Sequence, residues 1–125
     1  GEIDIMEHVG YDEGMVHGTV HTEAFNHIDD TERTASTTVP DATSAFHTYA
    51  MEWTPNKIRV FVDGTRYFTF QNRPQYDWQE WPFDQKFHLL LNIAVGGTWG
   101  GAEGIDDSAF PTRMAIDYVR VYKPE

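Results

Sequence analysis

Glu2, Asp4 and Glu7 stand in the run Gly1-Glu2-Ile3-Asp4-Ile5-Met6-Glu7, where carboxylates are interleaved with large apolar residues. Carboxylates held close together can divide the work of acid, base and nucleophile, because each resists the ionisation of its neighbours. The alternation itself reads as a β-strand. Plain two-residue alternation puts Glu2 and Asp4 on one face and sends Glu7 to the other. One extra residue, accommodated as a β-bulge around Ile5-Met6, shifts the parity and returns Glu7 to the first face. Glu2 and Glu7 would then have Cα atoms about 13 Å apart, four steps of about 3.3 Å. Two Glu side chains leaning together close that to the roughly 5–5.5 Å used for double displacement at a glycosidic bond. The same residues also fit a solvent-exposed acidic edge strand that resists aggregation. Spacing alone leaves both readings open.

The elements that must position these acids are mostly short strands. Residues 2–8 form the bulged strand and residues 15–22 the next, joined by the turn Gly10-Tyr11-Asp12-Glu13-Gly14. The polar stretch 26–36 reads as a loop, with Thr37-Thr38-Val39 a short strand at best. Residues 45–53 read as a strand ending at Thr54-Pro55-Asn56, and Trp53 as a core residue more readily than a sugar platform. Residues 57–62 and 66–70 make the clearest hairpin, closed by Asp63-Gly64, the pair favoured in a type I′ turn. Residues 72–82 carry two Pro and two Trp and read as loop or short irregular helix; Trp78 and Trp81 there suit either sugar platforms or plugs of a sheet edge. Residues 86–95 are near-continuously apolar, which predicts a central strand buried on both faces. A Gly-rich loop at 96–104 and a final strand at 114–122 complete the chain. Many short strands with almost no helical periodicity predict an all-β sandwich in one domain spanning 1–125.

Composition narrows the partners. The net charge is −11, from 20 acidic and 9 basic residues, which argues against nucleic acid and suits neutral sugars or cations. Eight Phe, six Tyr and four Trp serve sheet cores and sugar stacking alike. No stretch approaches the length of a membrane span, and the opening residues do not read as a signal peptide, which says nothing about export in a chain expected to begin mid-domain. There is no Cys, so disulfide and thiol chemistry are excluded. Six His are present without His-x-x-x-His spacing on a helix, which argues against a His metal centre. His21 on the second strand is either a neighbour of the acids or an ordinary exposed strand residue.

Glu-Ile-Asp-Ile-Met-Glu resembles the active-site run of family-16 glycoside hydrolases, in the bulged form of their laminarinase-like branch. His17-Gly18-Thr19-Val20-His21-Thr22, Tyr49-Ala50-Met51-Glu52-Trp53-Thr54-Pro55 and Asn92-Ile93-Ala94-Val95-Gly96-Gly97 resemble later blocks of that branch, in the same order. Trp99-Gly100-Gly101 and Ile116-Asp117-Tyr118-Val119-Arg120-Val121-Tyr122 do so as well. The resemblance implies a concanavalin-like jelly-roll and an endo-acting, retaining hydrolase of β-1,3-glucan. It implies Glu2 as nucleophile, Glu7 as acid/base and Asp4 as the helper that tunes the nucleophile. Met6 is then structural. Three coupled carboxylates should include at least one of raised pKa, and a group kept protonated in this way can donate to the departing glycosidic oxygen.

Further roles follow from the same resemblance. His21 would hydrogen-bond the acidic pair or the sugar. The residues themselves, apart from the resemblance, make Trp99 a stacking platform, since flanking glycines leave its face accessible, with Asn92 and Glu103 to bind hydroxyls nearby. No cofactor is expected for catalysis. Asp117 interrupts the last strand either as an ordinary outward-facing residue or as a contact to a structural calcium whose other ligands come from elsewhere. The family's catalytic domain is longer, so the chain is expected to be its C-terminal half, with N-terminal strands missing and edges unpaired. A complementary half-domain chain, a longer parent enzyme or a second copy exchanging strands would complete it. Alone, the segment is expected to be inactive. Secretion is implied by the resemblance. A glucan-binding lectin-like module is the alternative from another class, and mixed-linkage glucan or agar the alternative substrates. Carrageenan is disfavoured, since a sulfated galactan would want a basic cleft.

Overall fold

Alternating Val, Ile and Phe organise the first part of the chain into two antiparallel sheets of three strands each. The computed structural model describes residues 1–123. One sheet runs β1 (Glu2–His8), β2 (Met15–His21), β3 (Arg33–Thr38), and the other β4 (Tyr49–Thr54), β5 (Lys57–Val62), β6 (Thr65–Gln71). All six strands lie in one compact unit, Gly1–Phe87, and a second unit begins at His88.

The inner faces of the two sheets meet in an apolar core. Val20 of β2, Ile58 and Val60 of β5, and Phe68 and Phe70 of β6 are buried together with Phe25, Trp81 and Phe83. Ile3 and Ile5 of β1 pack against this cluster, and Met6 packs against a neighbouring one built on Val16, Val39 and Val62. Each fully buried aliphatic or aromatic side chain contributes about 1.5–3 kcal/mol. The segment after β6 closes the sandwich: Trp81 stacks on Phe70 at 5.4 Å, and Phe83 meets Trp81 edge-on at 5.2 Å. Trp81 therefore plugs the sheet, whereas Trp78 is largely exposed. Trp53, expected in the core, stands at the rim, where its indole N–H donates to the Phe83 carbonyl at 2.9 Å.

The turn predicted at Asp63-Gly64 is present, both residues having positive φ (48° and 78°) as a type I′ turn requires. Four further expectations need correction. Residues 33–36, read as loop, belong to β3: polar Thr34 and Ser36 face outward with the polar face of the first sheet, so a genuine strand looked like a loop. β4 begins at Tyr49 rather than 45, because Asp41–Ala45 is turned on itself by local hydrogen bonds. Residues 86–95 form no strand, and Leu90 is 74% exposed where burial on both faces was expected. Residues 114–122 likewise form no strand. A strand has no internal hydrogen bonds and exists only through a ladder. Among the described residues, neither segment has a ladder partner. The second unit instead contains the 3₁₀ turn Asp107–Ala109, capped by Asp106, whose carboxylate accepts from the Ser108 amide at 2.9 Å.

Candidate active site

β1 and β2 pair Glu2 with His21, Ile3 with Val20 and Asp4 with Thr19, then Glu7 with His17 and His8 with Val16. Three steps along β1 from Asp4 to Glu7 thus match two along β2. The extra residue expected near Met6 is there, with Ile5 and Met6 together opposite Gly18. Both of these apolar side chains turn toward the core. Glu2, Asp4 and Glu7 consequently stand opposite alternate β2 residues and share the outer face. The bulge therefore changes which face Glu7 serves, while the apolar side of the strand remains covered.

The shared face is polar across all three strands. The Thr19 hydroxyl lies 3.2 Å from Glu7 Oε2 as donor, and 3.0 Å from the Thr34 hydroxyl on β3. His21 Nε2 approaches Asp4 Oδ2 at 3.4 Å, and the His27 ring meets His21 edge-on at 5.5 Å. Asp4 Oδ2 and His21 Nδ1 are both buried without a hydrogen-bond partner in the protein. Gly1, Glu2, His21, Thr22 and Glu23 line an open cleft of about 320 Å³ at the Glu2 end of the face. A larger groove of about 690 Å³ lies between the outer strands β3 and β6 and contains none of Glu2, Asp4 and Glu7.

Burial is the main force on Asp4. It pushes the carboxyl up to about 8, helped by the charges of Glu7 and Glu2 and by a hydrogen bond with Glu2. The group held protonated is therefore the middle acid. Held protonated, Asp4 donates a hydrogen bond to Glu2 rather than adding a further charge to the face.

The first four predicted site residues, Glu2, Asp4, Glu7 and His21, are brought together in this way. Asn92, Trp99, Glu103 and Asp117 all belong to the second unit, where all four are exposed. Trp99 sits in a Gly-rich turn in which Gly96 and Gly97 take positive φ, a backbone only glycine adopts without strain. Among the described residues, no group of three or more His, Asp or Glu is gathered as a cation site, so Asp117 has no companions for calcium here.

Two residues were missed from the sequence. Thr19 was quoted only as part of a block, although its place opposite Asp4 on the acid face follows from the bulged register. Tyr67, on the other sheet, donates its hydroxyl to the Ile5 carbonyl at 2.6 Å. The signal for it lay in the hairpin. A regular ladder from the Asp63-Gly64 turn would face Phe68 and Phe70 outward, so their burial demands an extra residue in β6.

The family model for glycosyl hydrolases family 16 matches residues 1–120. The chain belongs to glycosyl hydrolases family 16. It is 58% identical over 127 residues to the beta-glucanase of Rhodothermus marinus, covering 98% of this chain and 44% of that protein. The X-ray structure of the laminarinase from Rhodothermus marinus matches with a TM-score of 0.85 at 57% identity, over 87% of this chain and 45% of that one. Another relative, the keratan-sulfate endo-1,4-beta-galactosidase of Sphingobacterium multivorum, is 40% identical over 123 residues, covering 98% of this chain and 28% of that protein. This family-16 chain thus spans less than half the length of each of these relatives, and its two sheets are part of the jelly-roll of the laminarinase structure.

Proposed function

We propose that the protein is an endo-acting, retaining hydrolase of β-1,3-glucan that works by double displacement once its sandwich is complete. The observation that carries this reading is the bulge, which gathers Glu2, Asp4 and Glu7 on one face. Glu2, the most exposed of the three, attacks the anomeric carbon and forms a glycosyl ester. Glu7, carrying a proton as the cycle starts, gives it to the departing oxygen, then regains one from the water that hydrolyses the ester. Asp4 keeps its own proton, donates to Glu2 and holds that carboxylate in line. Thr19 fixes the orientation of Glu7 by donating to Oε2. His21, which lines the cleft beside Glu2, meets a sugar hydroxyl there.

Similarity to a beta-glucanase and a laminarinase supports a β-glucan substrate. The family also holds a keratan-sulfate endo-galactosidase, so membership alone does not choose the polymer. The charge of −11 favours a neutral chain over a sulfated one. A non-catalytic glucan-binding module would have no use for a protonated carboxyl between two others. Because a polysaccharide does not cross membranes, the enzyme acts outside the cell. The complementary half supplies the remaining strands, Trp99, Asn92 and Glu103 line the glucan path, and any structural calcium at Asp117 draws its other ligands from that half. Glu2→Gln and Glu7→Gln in the complete domain should each lower kcat on laminarin by at least ~10³-fold. Turnover retained in either variant sinks the assignment.

A further inference from the structure

A second bulge faces the first across the sandwich. On β6, Arg66 pairs with Phe61 and Phe68 with Val60, so Tyr67 is the additional residue. Tyr67 and Phe68 consequently both turn inward, and the Tyr67 ring crosses the core to the middle of the first sheet. There it lies over Gly18, the single β2 residue opposite the β1 bulge. A Cβ at Gly18 would come within 3.0 Å of the ring and 3.2 Å of its hydroxyl oxygen. The hydroxyl donates to the Ile5 carbonyl at 2.6 Å and reaches the His17 carbonyl at 3.4 Å. Ile5 is a bulge residue, and His17 is the partner of Glu7. One phenol therefore holds both sides of the irregular step that turns Glu7 to the acid face.

We infer that Tyr67 is a positioning residue for the acid pair, its hydroxyl locking the β1 bulge in the register that keeps Glu7 on the face of Glu2. The inference rests on the hydrolase reading above. A ring that only filled the core would be served as well by Phe; it is the hydroxyl that reaches the carbonyls on both sides of the bulge. Bulges leave ladder groups to be satisfied elsewhere, and the Ile5 carbonyl is satisfied from the opposite sheet. Burial, with the charges of Tyr49 and Glu7 adding, pushes the phenol well above its ordinary range, so it remains a donor at any pH at which the enzyme would work.

The test is Tyr67→Phe in the complete domain, with Gly18→Ala as a second route to the same displacement. Removing the hydroxyl should lower kcat on laminarin about tenfold, the worth of one hydrogen bond to the bulge, with KM within about twofold. The pH–rate profile should move as well, because the spacing of the coupled carboxylates changes. Gly18→Ala should lower kcat in the same way, and the double variant should lose no more than the worse single one. Wild-type kcat and pH profile in Tyr67→Phe, accompanied only by a lower Tm, would overturn the inference. If Tyr67→Phe does not fold, wild-type kcat in Gly18→Ala would overturn it instead. Activity surviving Glu2→Gln or Glu7→Gln would count against the hydrolase reading itself, a separate outcome.

Discussion

At the residue scale, the acids differ more than their shared chemistry suggests. Asp4 is taken from water by its position mid-strand, and burial outweighs the repulsion of its neighbours in raising its pKa to about 8. Because the folded-state value is above the ordinary 3.8, the proton on Asp4 contributes stability that is complete below 3.8 and lost as pH rises toward about 8. Asp4→Asn removes this titration while keeping a neutral donor beside Glu2. Urea melts at pH 4, 6 and 8 should show the variant gaining on the parent as pH rises, by about 1–2 kcal/mol at pH 8 once solvent screening is allowed for. An unchanged difference across that window would mean that Asp4 is ionised throughout. The sequence made the acids legible, since parity alone showed that Glu7 needs one extra residue to join Glu2. It did not show which acid would hold the proton. Burial decides that, and burial depends on the strands on either side.

At the element scale, bulges and pairing separate what could be read in advance from what could not. The β1 bulge and the Asp63-Gly64 turn were legible because each leaves a local mark, a broken parity in one case and a paired positive φ in the other. The β6 bulge left a mark of the same kind in Tyr67-Phe68, but its purpose is visible only across the sandwich. β3 was obscured because Thr and Ser on a polar face look like loop residues. Residues 86–95 and 114–122 have strand composition and no strand, since composition cannot supply a ladder partner. The segment after β6 matters most for the packing: Phe83 is 1% exposed and anchors the aromatic cluster. Phe83→Ala should cost about 3–5 kcal/mol, read as a lower midpoint in a denaturant melt. A cost under about 1 kcal/mol would show that this segment does not close the core.

At the scale of the whole molecule, the chain holds the face of the three acids on a sandwich, and it spans less than half of the Rhodothermus marinus relatives it matches. The apolar run at 89–95 is exposed, with Leu89, Leu91 and Val95 each more than half accessible. Surfaces of this kind seek cover. Co-expression with the complementary half should give a soluble complex active on laminarin, whereas the 125 residues alone should not turn it over. Full activity of the chain by itself would show that these residues suffice.

Trapping the reaction half-way tests the central claim most directly. The completed enzyme would be treated with an activated 2-deoxy-2-fluoro laminari-oligosaccharide, which slows hydrolysis of a glycosyl ester, and the labelled peptide would be mapped by mass spectrometry. The predicted result is one sugar adduct per molecule on Glu2, formed in the parent and absent from Glu2→Gln. A label on Glu7, or turnover with no adduct at all, would contradict the account.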